Sequence, residues 1–335
     1  MTLRTVAERV GVSMMTVSNV INSTGKVGAK TRARVRQAIR ETGYIPNYEA
    51  RRLASAGLTR VGLIYANLQT PFLSQILLAA LDATAASGTQ LLVRNGKRPS
   101  KKEAASLALS LFRSGAQGLL LIPPYAELLA GNPVLAEARV AAIATAGPLP
   151  GMHTVRIDNR AAARTLTAFL VRLGHRRIGF ITGSLRNGDS LERLAGYKDA
   201  LGVAEIPVLP ELIRPGEFTF DSGRAAAQQL LGLQDRPTAI VASNDDMAAG
   251  TAWAAQQRGL KLPDDLSVTG FDDTPTALKT WPPLTVIRQP IAAMVERGVS
   301  LLTSSTPRVA GSEPHDTILE YELVERESTT RRRKA

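Results

Sequence analysis

Residues 14–22, MMTVSNVIN, place Met15, Ser18, Asn19 and Asn22 at i, i+3, i+4 and i+7. That spacing sets all four on one face of a helix. Their amides and hydroxyl carry both donors and acceptors. An asparagine amide matches the donor–acceptor pair that adenine shows in the major groove. The chemistry of such a face is recognition by hydrogen bonding, with no bond made or broken. Val17, Val20 and Ile21 occupy the opposite, apolar side. Ser13 stands just ahead, where its hydroxyl can accept a freed backbone N–H and cap the helix.

Two further helices are needed to hold that face in place. Leu3, Val6, Ala7 and Val10 follow helical spacing, and Gly11 breaks the run. A third helix is expected from about Ala29 to Thr42, with Val35, Ala38 and Ile39 inward, Gly43 as its stop and Arg32, Arg36 and Arg40 as a basic stripe. Two short helices around a glycine turn, backed by a third, predict a helix-turn-helix domain over 1–45 whose second helix enters the major groove. Charge agrees with this. Residues 1–60 hold 11 Lys/Arg against 3 Asp/Glu, and the terminal RRRKA adds four more cations. Residues 61–330 balance to zero, so the net +12 is confined to the two ends, the footprint of a phosphate-binding head. Pro46 to Gly57 reads as a linker, 46–59 in all, with one short helix capped by Asn47 that is too short to be stable alone in water.

From Arg60 onward, apolar strands such as RVGLIYA, TQLLVRN, GLLLIPP and VAAIATA alternate with amphipathic helices, and a second series begins after Asp158. This βα repetition predicts an α/β body of two doubly wound parallel-sheet lobes. Loops at the strand C-termini of each lobe would face each other across a ligand cleft. No apolar run reaches the length of a membrane span, and the N-terminus lacks a signal-peptide pattern, so a cytoplasmic location without membrane contact is the simplest expectation. There is no cysteine. His153, His175 and His315 are isolated, and phosphate loops and nucleophile elbows are missing. The adjacent Asp pairs point apart on strand ends and make poor acid/base partners. Neither catalysis nor a cofactor is expected.

TLRTVAERVGVSMMTVSNVIN, followed by KTRARVRQAIRETGYIPNYEARRLA, closely resembles the N-terminus of the lactose-repressor/galactose-repressor (LacI/GalR) family. The order T-V-S-x-V-x-N, K-T-R-x-R-V and G-Y-x-P-N-x-x-A-R-x-L is highly specific. IDNRAAARTLTAFLVRLGHRRIGFITG, RLAGY, ASNDDMAAG, TGFDD, PPLTVIRQP and ELVERES continue the resemblance through the body, which is similar to periplasmic sugar-binding proteins. The RRRKA tail, 331–335, looks like an addition. The resemblance implies crossovers near 158 and 286 with a late return. The first lobe is accordingly drawn as 60–157 and 287–315, and the second as 158–286 and 316–330.

Roles follow from the same resemblance. Met14, Met15, Thr16 and Ser18 would lie in or beside the major groove. Position 19, often Arg in the family, is Asn here. Gly28 replaces a more usual Ser and weakens the third helix's cap. In the family the linker helix folds on DNA, pairs with its twin and enters the minor groove. Leu53 matches the wedge leucine and Ala50 packs beside it. In the cleft the resemblance points to Asp272, Arg193 and Asn244 as polar contacts. Phe72 and Phe218 would form an apolar wall, Gln289 a hinge-side contact, and Asp158 a further candidate or a simple helix cap. The expected protein is a homodimeric regulator, a repressor by preference, on a pseudopalindromic double-stranded operator. Its effector is a small molecule, a sugar by preference, with nucleobase sensing as the alternative. A sugar-binding receptor without DNA binding and a sugar-modifying enzyme are the competing classes.

Asn19→Arg should shift one operator position from adenine toward guanine, by about 1–3 kcal/mol of discrimination. Selection from a random duplex library reads this directly, and an unchanged site profile would refute the reading role of residue 19.

Overall fold

The computed structural model describes residues 3–22, 27–42, 60–66, 70–136, 138–304 and 315–332. The chain divides into two compact units, Met1–Gly57 and Leu58–Ala335. Asn47, Ala50 and Leu53, singled out in the sequence, lie outside the described residues.

In the first unit, helices span Leu3–Val10, Met14–Asn22 and Ala29–Thr42. Val6, Ala7, Val10, Val17, Val20, Val35 and Ala38 form its core. Gly11 sits at φ +69, the left-handed turn that favours glycine. Ser13 Oγ accepts the Thr16 N–H at 3.1 Å and caps the second helix. The third helix is tied back by Arg34 Nη2, which donates to the Val10 carbonyl at 2.8 Å. Its first turn has no side-chain cap from Gly28, whose carbonyl accepts the Arg32 N–H.

The second unit holds two six-stranded sheets. Strands β1 (Arg60–Ala66), β2 (Gln90–Gly96), β3 (Gly118–Leu121), β4 (Arg139–Ile143), β5 (His153–Arg156) and β11 (Asp316–Ile318) form the first, in the order β11-β5-β4-β3-β1-β2, all parallel. Strands β6 (Ile178–Ile181), β7 (Ile213–Arg214), β8 (Ala239–Ala242), β9 (Ser267–Asp272), β10 (Thr285–Arg288) and β12 (Glu322–Val324) form the second, in the order β12-β10-β9-β8-β6-β7. Only β12 runs antiparallel, against β10. Both sheets are covered on both faces, as parallel sheets require. In the first lobe, helices Pro71–Ala86 and Ile291–Thr303 pack one face through Leu73, Ile76, Met294 and Val295. Helix Lys101–Arg113 packs the other through Ala104, Ala108 and Leu111.

Two strands fall on the far side of the boundaries drawn from sequence. β10 runs to Arg288 in the second sheet, because Arg288 pairs in register with Asp272 of β9. Residues 316–318 belong to the first sheet. There Asp316 takes two hydrogen bonds from Arg156, at 3.0 and 2.7 Å, and one from Thr154 Oγ1 at 2.6 Å. The second lobe resumes with β12 at Glu322.

The final segment closes the second sheet at its strand N-termini. Ser328 is fully buried, donates Oγ–H to the Val268 carbonyl at 2.6 Å and accepts the Thr285 N–H at 2.8 Å. Its own N–H donates to the Pro283 carbonyl. Ser328→Ala removes the partner of two buried backbone groups and should cost about 1–3 kcal/mol. Urea unfolding measures the loss, and a change within about 0.5 kcal/mol, the range of ordinary surface substitutions, would contradict it.

Candidate functional site

The second helix of the head presents Met14 and Met15 at its surface, 52% and 69% exposed. Large apolar side chains left in water next to polar ones mark a contact surface rather than a packed one. Thr16, Ser18 and Asn19 are half-buried beside them. The Thr16 hydroxyl also bonds Ser13 Oγ at 2.9 Å, so these two residues fix the start of the helix. The Asn22 side chain lies outside the described residues.

In the body, the strand C-termini of the two sheets meet. A Cβ placed on Gly188, beyond β6, would lie 2.7 Å from the Ala146 Cβ, beyond β4. At that edge Arg193 is only 4% exposed. It rides on helix Gly188–Val203, which packs closely on helix Asn159–Arg172. Gly196 permits the approach, since a Cβ there would fall 2.1 Å from the Arg160 carbonyl oxygen. Arg193 Nε then reaches Asn159 Oδ1 at 2.9 Å, and Nη1 donates to the Ser243 carbonyl. Its guanidinium lies 3.7 Å from the centre of the Phe271 ring, a cation–π stack. Asp272 Oδ1 lies 3.8 Å from Nη1, and Asp189 Oδ2 3.9 Å from Nη2.

Asp272 ends β9 in a left-handed conformation at φ +107, and Asp273 follows at +58. Neighbouring groups hold this turn. Asp245 Oδ2 accepts the Thr274 N–H at 2.6 Å and its hydroxyl at 2.9 Å. Asp273 is gripped by Arg288 and Arg326, each at 2.7 Å. Gln289 Nε2 donates to Asp272 Oδ1 at 2.6 Å. Burial pushes the Asp272 carboxyl up to about 7, while Arg193 and then the Gln289 hydrogen bond pull it down. Burial likewise raises Asp189 against the pull of Arg193. It raises Asp245 too, with the Asp272 charge adding to the effect. Across the cleft, on helix Tyr125–Leu129, burial and then the Asp189 charge lift Glu127 to about 7.

Arg193, Asp272 and Gln289, singled out in the sequence, come together here. Four others sit differently. Asp158 is exposed and caps helix Asn159–Arg172 by accepting the Ala161 N–H at 2.9 Å; its neighbour Asn159 is the buried residue that reaches Arg193. Asn244 spends its amide within the lobe, with Oδ1 accepting the Met247 N–H at 3.0 Å and Nδ2 donating to the Phe218 carbonyl at 3.1 Å. Phe218, at φ +60, packs on the second-lobe core and fills the space where a Gly183 side chain would stand. Phe72 packs on the first-lobe core. Sequence reasoning missed Asn159, Asp189, Glu127 and Asp245. Asp189 had a signal, since it stands four residues before Arg193 on one helix. The Ser243 carbonyl had none.

A helix-turn-helix head joined to a two-lobed α/β body defines a DNA-binding regulator with a periplasmic-binding-protein-like domain. Residues 2–47 match the family described as bacterial regulatory proteins, lacI family, and residues 167–329 match the periplasmic binding protein-like domain. The HTH-type transcriptional regulator AscG of Escherichia coli (strain K12) is 33% identical over 314 residues, covering 90% of each chain. Among solved structures, the lac repressor dimer bound to operator and the anti-inducer ONPF aligns with a TM-score of 0.76 at 30% identity, over 98% of this chain and 99% of that one. The complex of the transcriptional regulator CelR with cellobiose aligns at 0.70 and 31% identity over the same shares. The chain belongs to the lacI family of bacterial regulatory proteins and is a DNA-binding transcriptional regulator, not an enzyme. Among the described residues no helix is long and apolar enough to cross a membrane.

The buried carboxyls set a pH dependence. A carboxyl raised in the folded state holds its proton where the unfolded chain has already released it. For these groups unfolding releases protons, and their stabilisation falls as pH rises from the ordinary carboxylate range to about 7 for Asp272 and Glu127, outweighing the buried His175, which burial lowers and which acts in the opposite sense. The melting temperature of the effector-free protein should therefore be lower by a few degrees at about pH 8 than at about pH 5.5, with ~1 kcal/mol worth about 2–4 °C. Asp272→Asn should shrink the difference. A melting temperature that rises over this interval would overturn the assignment.

Proposed function

We propose that this regulator is a homodimeric repressor whose hold on a pseudopalindromic operator is set by a sugar bound between the two lobes. The observation that carries the effector site is Arg193. Its guanidinium is buried and stacked on Phe271, and two of its nitrogens are spent on Asn159 and Ser243. That leaves Nη2 and the Asp272 carboxylate as a fixed donor–acceptor pair at the lobe junction, the pairing that vicinal hydroxyls satisfy. A stacked arginine and a strand-end carboxylate are the kind of placed polar groups that orient a bound ligand. The cellobiose bound by the CelR relative supports a sugar over a nucleobase.

DNA is read by the head and by the linker. Met14, Met15, Thr16, Ser18, Asn19 and Asn22 face the major groove, with the methionines against thymine methyls. On DNA, Asn47 would cap the linker helix and Leu53 would wedge a central base step of the minor groove, with Ala50 beside Leu53. Leu78 and Leu81 on the first lobe, and Leu278 and Trp281 on the second, expose large apolar side chains that a second copy would cover. Two-fold symmetry then sets two reading helices in successive major grooves. Effector binding alters the angle between lobes, and so the separation of the two linker attachment points. A coupling of about 1–3 kcal/mol changes operator affinity roughly 5- to 150-fold. The site of action is chromosomal DNA in the cytoplasm.

The operator is selected from genomic fragments and measured by fluorescence anisotropy, with sugars and, in a separate arm, purine bases added. A sugar should change operator affinity at least five-fold; a response to a purine base alone would replace the sugar reading. Leu53→Ala should weaken operator binding by at least about ten-fold, equivalent to about 1.4 kcal/mol, and leave sugar affinity intact. Unchanged operator affinity in that variant would remove the wedge.

A further inference from the structure

Three carboxyls and one guanidinium converge where the lobes meet. Asp272 is 5% exposed, with Oδ1 committed to Gln289 and Oδ2 without a hydrogen bond among the described residues. Asp189 Oδ1 accepts the Ser190 N–H, while Oδ2 has only the 3.9 Å approach of Arg193 Nη2. Glu127 Oε2 is buried without a hydrogen-bond partner. Glu127 comes from the first lobe and Asp189 from the second, close enough for one charge to act on the other. Three other guanidiniums of this lobe have partners of their own. Arg288 and Arg326 hold Asp273, and Arg186 is exposed and faces Glu217.

The unmet demand is therefore for donors. Where the carboxyls are ionised, above about pH 7 for Asp272 and Glu127, Asp272 Oδ2, Asp189 Oδ2 and Glu127 Oε2 each accept a hydrogen bond, and only Arg193 Nη2 and the buried Ser190 hydroxyl stand beside them as donors. A buried carboxylate oxygen left unpaired is costly, and a ligand that brings acceptors and negative charge raises the cost. One that brings O–H or N–H groups removes it.

We infer that the cleft selects donor-rich, non-anionic sugars and rejects sugar phosphates and sugar acids, with Glu127 and Asp189 as the specificity-determining pair. Neutral polyols and amino sugars share the required chemistry. They differ in whether an ammonium settles between the two lobes' carboxyls. This inference rests on the reading of the cleft as a sugar site.

Two measurements separate the inference from that reading. In the first, the full chain is screened by thermal shift against neutral sugars, amino sugars, sugar 6-phosphates and uronic acids. Hits confined to the first two arms support it, and the stronger arm says whether an ammonium is used. A strongest hit among phosphates or acids overturns it. No hit in any arm removes the sugar reading and leaves the second measurement to decide the inference. There, inorganic phosphate is titrated calorimetrically into wild type and Glu127→Gln/Asp189→Asn. The double variant should bind phosphate at least ten-fold more tightly, and equal affinities would overturn the inference. Should the double variant fail to fold, Glu127→Gln alone serves, since Oε2 makes no hydrogen bond to lose; a two-fold or greater gain is then expected, and no gain overturns it.

Discussion

The body is organised around a charge taken out of water. Burying the Arg193 guanidinium demands compensation on every side. The amide of Asn159, the carbonyl of Ser243, the face of Phe271 and the carboxyls of Asp189 and Asp272 provide it. These partners come from a crossover helix, the end of β8, the end of β9 and Arg193's own helix. One guanidinium therefore ties the separate C-terminal ends of the second sheet into a single surface. The close helix contact at Gly196 is what lets the side chain arrive without spanning a gap.

That surface is held under tension by its carboxyls. Asp272 and Asp273 both adopt left-handed backbone angles, which non-glycine residues keep only when their surroundings enforce them. Asp245 supplies the enforcement from behind, through the amide and hydroxyl of Thr274, and the Arg288–Asp273–Arg326 cluster from the side. Part of the acidic charge serves structure and part is left facing the lobe junction. The second part is available to a ligand because its hydrogen bonds are incomplete. A site satisfied within the protein would have nothing to gain from binding.

Much of this was legible along the chain. The apolar spacing of Val6, Val10, Val17, Val20 and Val35 predicted a three-helix head, and those residues form its core. Strand and helix alternation after Arg60 predicted two parallel-sheet lobes, because strands buried on both faces read as continuous apolar runs. The lobe boundaries were less legible. Whether residues 287–288 and 316–318 join one sheet or the other depends on pairing register, which is set by long-range partners such as Asp272 and Thr154. No local pattern encodes that choice.

Residue type and periodicity, then, determined the elements, the polarised charge and the polar outer face of the second helix, since these depend on neighbours within a turn or two. They also pointed to Arg193 and Asp272. Only the tertiary structure decided what those side chains touch. It turned Asp158 into a cap and brought Asn159 to Arg193 instead. It spent the Asn244 amide on Met247 and Phe218, and set Glu127 against Asp189 from the other lobe. Each outcome depends on burial and on partners far apart in the chain, so it follows from where the helices and strand ends come to rest.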